Sequence, residues 1–214
     1  MLPSTLFVQE QPMEAILLIA FFLLIAFPVH EFFHAYAANR LGDPTPRMFG
    51  RLTLNPIKHF DPLGGLLLVI SVLASGFVFG WAKPTPVNPA NLRDRRNGEV
   101  IVALAGPASN LVMASVGAFL YRLLIGPHLP TDIPEAILYL FVVYNVALAI
   151  FNLIPIPPLD GSTLLFRILD PQTAWRLRPI LSQYGFIIMI IAIFTVSRPL
   201  SEFIGTVTSV LVGV

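Results

Sequence analysis

Two histidines and a glutamate stand together in the sequence His30-Glu31-Phe32-Phe33-His34. On a helix, residues four positions apart lie on one face, so the two imidazoles can each offer a nitrogen to the same metal ion. The glutamate beside them can act as a base toward a water molecule bound to that metal. This spacing predicts a zinc centre with hydrolytic chemistry, in which His30 and His34 are metal ligands and Glu31 is the general base.

The element that carries these residues is strongly apolar. Residues 15–29, directly before the histidine pair, include no charged side chain. Of the 214 residues in the chain, 12% are charged, whereas a soluble domain has about 25%. Ionisable side chains within a membrane-spanning helix cost several kcal/mol unless they have partners. The composition therefore predicts a membrane protein whose metal centre lies on a spanning helix.

Composition also excludes several classes of site. The chain has no cysteine, which excludes thiolate ligands, a cysteine nucleophile and disulfide bonds. A net charge of +1 gives no reason to expect a nucleic acid as a partner. Residues 1–13 contain no Lys or Arg and so lack the basic start of a cleavable signal peptide, which predicts that the first apolar segment is retained.

The hydrophobic pattern predicts an all-α membrane protein, a polytopic bundle of about five transmembrane helices in one domain over residues 1–214. A glycine-containing apolar segment, residues 63–81, is predicted to be re-entrant or membrane-embedded. The predicted parts are the HExxH helix (14–41), cytoplasmic-side loops with the re-entrant segment (42–98), helices carrying an acidic ligand (98–170, with helices over about 98–125 and 134–153), and a C-terminal helical hairpin (177–214) broken at Arg198-Pro199.

Basic residues set the predicted orientation. They follow the HExxH helix, the re-entrant segment and the helix over 134–153, and the positive-inside rule places all three groups in the cytoplasm. The first two groups share a side only if residues 63–81 enter and leave by one face. The N-terminus is therefore predicted outside, with the metal site nearer the cytoplasmic face. The groups are Arg40, Arg47, Arg51 and Lys58; Lys83, Arg93, Arg95 and Arg96; and Arg167, Arg176 and Arg178.

A catalytic zinc ion commonly has three protein ligands, so a third is expected beyond the histidine pair. The candidates are His59, Asp61, Glu99, His128 and Asp160. Asp160 is favoured because it ends the run from Asn152, in which three prolines stop a helix and leave backbone groups free at membrane depth. If Asp160 is the third ligand, its helix must run in the same direction as the HExxH helix to bring the ligands to one depth. An odd number of crossings must then lie between the two helices, in agreement with the charge pattern. The alternative is that Asp160 caps a helix that begins at Gly161.

Several stretches resemble the site-2 protease family of intramembrane zinc metalloproteases. Residues 80–84 and 87–89 are similar to a compact prokaryotic branch of that family, without a PDZ or CBS domain. The resemblance implies that His30, His34 and Asp160 hold one zinc ion, and that peptide bonds within or near transmembrane segments are hydrolysed. The matching stretches are His30 to His34, Gly50 to Pro56 with His59 and Asp61-Pro62, Ala105 to Asn110, and Asn152 to Gly161.

Two polar residues are candidate contacts to the substrate or the transition state. Asn152 could bind substrate backbone or a developing oxyanion, or instead cap its helix. His59 could donate to the tetrahedral intermediate, or instead be an interfacial loop histidine. An exposed edge over residues 51–55, or part of the re-entrant segment, could pair with an unwound substrate as an added strand, with a plain linker as the alternative.

The expected partners are a transmembrane protein substrate and the lipid bilayer. Two other functions fit parts of the pattern. An ion transporter would explain buried His and Asp, but it would not need the glutamate beside the first histidine. A catalytically inactive zinc-binding scaffold would favour a closed four-ligand site, with His59 or Asp61 as the fourth ligand.

Overall fold

The computed structural model describes residues 12–75 and 80–214. Residues 76–79, which are part of the predicted re-entrant segment 63–81, lie outside the described residues. In this part of the chain every regular element is helical, which confirms the predicted all-α class. The elements are α1 (Pro12–Phe21), a π-helical turn (Phe22–Ala26), α2 (Phe27–Arg40), α3 (Thr45–Met48), α4 (Pro56–His59), α5 (Pro62–Ser75), a 3-10 turn (Pro89–Asn91), α6 (Arg95–Leu124), α7 (Ile133–Asn152), α8 (Gly161–Ile168) and α9 (Pro171–Val212).

Among the described residues, four helical stretches are long and apolar enough to cross a membrane. The described part of helix α5 has 14 residues, about 21 Å at 1.5 Å per residue, which is shorter than a hydrocarbon core of about 30 Å. The chain is therefore a multi-pass membrane protein, and the re-entrant path stays a prediction. The candidate spans are Ile19–Arg40, Arg95–Leu124, Ile133–Asn152 and Pro171–Ile193.

The C-terminal stretch, predicted as a hairpin broken at Arg198-Pro199, is unbroken in the structure. One continuous helix, α9, runs from Pro171 to Val212 and passes through Pro179 and Pro199. A proline removes one backbone donor, but a transmembrane helix tolerates this where side chains satisfy neighbouring carbonyl groups. The Arg-Pro pair therefore does not end the helix.

The described residues form two compact units, one up to Arg95 and one from Arg96 onward. In the first unit, the π-helical turn lies directly before the HExxH helix. The N–H of Phe27 donates to the carbonyl of Phe22, five residues back. Pro28 follows and has no N–H to give to the carbonyl four residues before it, so a widened turn accommodates it with little loss. Phe22, Ala26 and Phe27 are buried there.

The second unit is built on a core shared by α6, α7 and α9. The fully buried side chains include small residues on α6, which let the helices approach closely. A buried polar pair joins α6 to α7, where Asn110 Nδ2 donates to Asn145 Oδ1 at 3.1 Å. The core residues are Ala114, Ala118, Tyr121, Val142, Val146, Ile204 and Val212.

Candidate metal and catalytic centre

The two histidines of the predicted centre lie on one face of α2, as their spacing predicts. Each has 6% of its surface exposed, and their Nε2 atoms are 3.0 Å apart. Their rings meet edge to face, with centroids 4.6 Å apart. Two zinc ligands at about 2.05 Å in a tetrahedron are separated by about 3.3 Å. The pair therefore needs only a few tenths of an ångström of adjustment to hold one zinc ion, and its donor type suits that metal.

Glu31 is held from a distant part of the sequence. Its Oε2 accepts a hydrogen bond of 2.8 Å from the backbone N–H of Thr85. In return, the Thr85 hydroxyl donates to the backbone carbonyl of Glu31 at 3.0 Å. One residue thus fixes both the carboxylate and the main chain of Glu31. No local sequence pattern marks Thr85, because its partner Glu31 lies 54 positions away.

Thr85 belongs to a segment without α-helix, residues 80–91, which we call the proline strap because it contains Pro84, Pro86 and Pro89. Its later part is attached to Asp43, just beyond the end of α2. Asp43 is fully buried and accepts hydrogen bonds from the N–H of Asn88 at 2.7 Å and from Asn91 Nδ2 at 2.9 Å. The hydroxyl and N–H of Thr45 also donate to it.

These donors decide the charge of Asp43. Burial raises the pKa of the carboxyl group, but the hydrogen bonds from Thr45, Asn91 and Asn88 outweigh that effect and hold it below its usual value. Asp43 is therefore ionised at neutral pH, and its charge strengthens the bonds that attach the strap.

The earlier part of the strap is attached through Lys83. The N–H of Lys83 donates to the carbonyl of His59 at 2.8 Å. Arg51, a cation only 5% exposed, donates through one guanidinium nitrogen to the carbonyl groups of Lys58 at 2.6 Å and of Lys83 at 3.2 Å. This buried cation joins the loop around α4 to the strap without using a carboxylate.

His59 is 1% exposed and its Nε2 lies 2.7 Å from the carbonyl oxygen of Thr53. Because a carbonyl only accepts, Nε2 carries a proton, and a neutral ring then offers only an acceptor at Nδ1. That nitrogen is buried without a hydrogen-bond partner in the described part of the chain. The observed bonds hold the loop, and the predicted contact of His59 with a transition state stays a prediction.

In the second unit, Asp160 follows a run of turns after α7 and directly precedes α8. The prolines do end α7, as predicted, and the bond between Pro157 and Pro158 is cis. Asp160 occupies the N-cap position of α8, which begins at Gly161 as the capping alternative requires, but its side chain makes no capping hydrogen bond. Its part in holding a metal stays a prediction.

The turn that carries Asp160 is packed backbone against backbone. A Cβ atom on Gly161 would lie 2.2 Å from the carbonyl oxygen of Leu153, and one on Gly185 would lie 2.5 Å from that of Pro157. Both glycines are therefore required where α8 and α9 approach the turn. Asn152 ends α7, and its Nδ2 donates to the carbonyl of Leu148 at 2.9 Å, so its contact with substrate also stays a prediction.

Comparison with known proteins identifies the family. The sequence model of peptidase family M50 matches residues 128–193. A candidate zinc metalloprotease of Bacillus subtilis, YwhC, is 37% identical over 187 residues, which are 85% of this chain and 81% of that protein. Rip2 of Mycolicibacterium smegmatis, also named as a candidate zinc metalloprotease, is 34% identical over 178 residues, 80% of this chain and 64% of that protein.

No solved structure matches the chain. The Bacillus relative is matched over most of its length, and the matched part of the chain extends well beyond residues 128–193. The chain therefore belongs to peptidase family M50, the site-2 proteases, and is a multi-pass membrane zinc metalloprotease.

Proposed function

We propose that His30, His34 and Asp160 hold the zinc ion and that Glu31 is the general base for hydrolysis of a peptide bond. The observation that carries this proposal is the buried pair of imidazoles on α2, with Nε2 atoms 3.0 Å apart. Three ligands of this type leave a fourth position for water, as a catalytic zinc site requires. Asp160 is assigned to the third position because of its motif and its place in a proline-broken turn.

When bound, zinc supplies a Lewis acid that acidifies water and polarises a peptide carbonyl. The chain's own residues do the rest. His30 and His34 present neutral nitrogens from one face of α2. Glu31 takes the proton from the attacking water and later gives it to the leaving amine. Thr85 holds Oε2 of that carboxylate, which leaves Oε1 as the oxygen that receives the proton.

The substrate we propose is a transmembrane segment of another membrane protein. A protease whose ligands lie on a spanning helix acts on bonds that reach the same depth. The backbone of such a segment is already hydrogen-bonded in a helix, so it unwinds locally before cleavage. The positive-inside rule places the three groups of basic residues in the cytoplasm, and this supports a site nearer the cytoplasmic face, with the N-terminus outside.

The test is Glu31→Gln in purified, zinc-loaded protein with a transmembrane reporter substrate. The glutamine keeps the size of the side chain but cannot take a proton. We expect zinc binding to persist while cleavage falls by at least about 1,000-fold. The control is Glu202→Gln, which changes an exposed glutamate on α9 and should cleave normally. Normal turnover by Glu31→Gln would refute its role as the base.

The third ligand is tested separately through zinc content. Asp160→Ala should reduce bound zinc from one ion per chain and lower its affinity, because two imidazoles alone hold zinc weakly. The matched control is Asp170→Ala, which removes an exposed carboxylate at the start of α9 that caps that helix. Full zinc occupancy in Asp160→Ala would exclude Asp160 as a ligand. Membership of a protease family does not favour the inactive scaffold or the ion transporter.

A further inference from the structure

The proline strap is hydrogen-bonded to Glu31 through Thr85. Thr85 donates its N–H to Oε2 of Glu31 and its hydroxyl to the carbonyl of the same residue. A carboxylate on three rotatable bonds samples many positions, and its ordering has an entropic cost. Two bonds from one neighbour reduce that freedom in the side chain and in the backbone together.

The strap is attached on both sides of this contact. Two residues before Thr85, the N–H of Lys83 donates to the carbonyl of His59, and the carbonyl of Lys83 accepts a hydrogen bond from Arg51. Three residues after Thr85, the N–H of Asn88 donates to the buried carboxylate of Asp43. The anchors lie in the same compact unit as Glu31. The position of Thr85 is therefore set by bonds that do not involve Glu31.

The sequence between the anchors is stiff. Pro84 and Pro86 flank Thr85, so each has a fixed φ, and the residues before them are confined to extended conformations. Neither proline has an N–H, which makes Thr85 the one backbone donor in residues 84–86. The geometry thus offers a single directed N–H from a segment that has little freedom to relax.

We propose that Thr85 is a positioning residue for Glu31. From its place in the proline strap, Thr85 holds the Glu31 carboxylate in the orientation needed for proton transfer. This rests on the proposed role of Glu31 as general base. The hydroxyl of Thr85 ties the strap to the backbone of Glu31, and its N–H orients the carboxylate. A base held within hydrogen-bond reach of the reacting water raises the rate of the chemical step and not the binding of substrate.

The experiment compares Thr85→Val with Thr85→Ser in purified, zinc-loaded protein. Valine keeps the branched shape and the N–H but lacks the hydroxyl, whereas serine keeps the hydroxyl. We expect kcat of Thr85→Val to fall about 5- to 10-fold, with KM, zinc content and melting temperature near wild type. Thr85→Ser should stay within about twofold of wild-type kcat.

The matched control is Thr195→Val on α9, which also removes one hydroxyl-to-carbonyl hydrogen bond and should not change kcat. A wild-type kcat in Thr85→Val, an equal loss in the valine and serine variants, or a loss of zinc in Thr85→Val would each overturn the proposal. Glu31→Gln is measured in parallel. If it cleaves normally, the role of Glu31 has failed; if it is inactive while Thr85→Val is normal, only the role of Thr85 has failed.

Discussion

Side-chain hydrogen bonds hold the surroundings of Glu31, whereas close backbone packing holds the turn that carries Asp160. In the first unit, Thr85, Asp43 and Arg51 each make two or more bonds that attach the proline strap to α2 or to the loop around α4. In the second unit, the turn after α7 contains three prolines and meets Gly161 and Gly185 at distances that leave no space for a Cβ atom.

The two modes of support respond differently to substitution. A hydrogen bond contributes about 1 kcal/mol net, and its loss lets a segment move by small amounts without breaking the fold. An added Cβ atom that collides with backbone cannot be accommodated by small movements, because a backbone carbonyl cannot rotate away as a side chain does. Changes in the turn should therefore have larger effects than changes in the strap.

Among changes to the residues that support the site, the largest effect is expected for Gly161→Ala. The new Cβ would lie 2.2 Å from the carbonyl oxygen and 2.4 Å from the carbonyl carbon of Leu153, so α8 or the turn must shift. A shift of about 1 Å at an active-site group costs on the order of 100-fold in rate. Activity should fall by about that factor and zinc content should fall with it, measured by cleavage and by metal analysis.

The control for Gly161→Ala is Gly117→Ala on α6. Its Cβ would lie 2.8 Å from Cδ1 of Phe141, a ring that can move aside. We expect at most a threefold loss of activity there, from a stability cost of about 1 kcal/mol. Equal losses in the two variants would show that backbone packing gives the turn no special rigidity.

A smaller effect is expected for Arg51→Met. Methionine keeps most of the length and packing of the side chain but donates nothing to the carbonyl groups of Lys58 and Lys83. Leaving these buried carbonyl groups without a donor costs about 1–3 kcal/mol, which should lower the melting temperature in detergent. Amide exchange in residues 80–91 should become faster. Arg47→Met, which removes an exposed arginine from α3, should change neither measurement.

The spanning helices were predictable because their signal is local. The predicted helix over residues 14–41 corresponds to Pro12–Arg40, and those over 98–125 and 134–153 correspond to Arg95–Leu124 and Ile133–Asn152. Apolar length alone fixes such elements. The spacing of His30 and His34 likewise fixed their common face, because helical periodicity decides it without tertiary information.

The support of the site was not predictable in the same way. Thr85 is hydrogen-bonded to Glu31, 54 positions away, and Asp43 to Asn88, 45 positions away. No local pattern of residue types marks such pairs. The π-helical turn before α2 has a cause in Pro28, but a proline also permits an ordinary helix start. The hairpin prediction at Pro199 failed because it took the missing N–H of the proline as the end of a helix, whereas a transmembrane helix tolerates a proline in its interior.

The charge of Asp43 gives the strap a predictable dependence on pH. Because hydrogen bonds lower the pKa of Asp43 in the folded state, its stabilising effect is present above the unfolded pKa of about 3.9 and is lost as the pH falls through the lower folded value. Amide exchange in residues 85–91, corrected for its intrinsic rate, should be unchanged from pH 7 to 5 and should accelerate below about pH 4.

The variant Asp43→Asn tests the origin of that dependence. Its amide group would place a donor against one of the N–H groups that the carboxylate now accepts, so exchange should be faster at neutral pH by about 5-fold or more. The acceleration on acidification should disappear, because no charge remains to titrate. A variant that keeps the wild-type pH profile would assign the dependence to another group.

The smallest effect should come from the pair of Asn110 and Asn145, a buried polar contact between α6 and α7 in the second unit. Both residues are fully buried, and Asn145 Nδ2 also donates to the carbonyl of Phe141 at 2.9 Å. Hydrogen bonds between transmembrane helices contribute about 0.6 kcal/mol on average, because the alternative states also find partners. A double-mutant cycle with alanine at the two positions, read by unfolding in detergent, should therefore give a coupling of about that size. A coupling above about 2 kcal/mol would mean that the second unit also depends on polar bonds, and the contrast between the two regions would then be confined to the turn around Asp160.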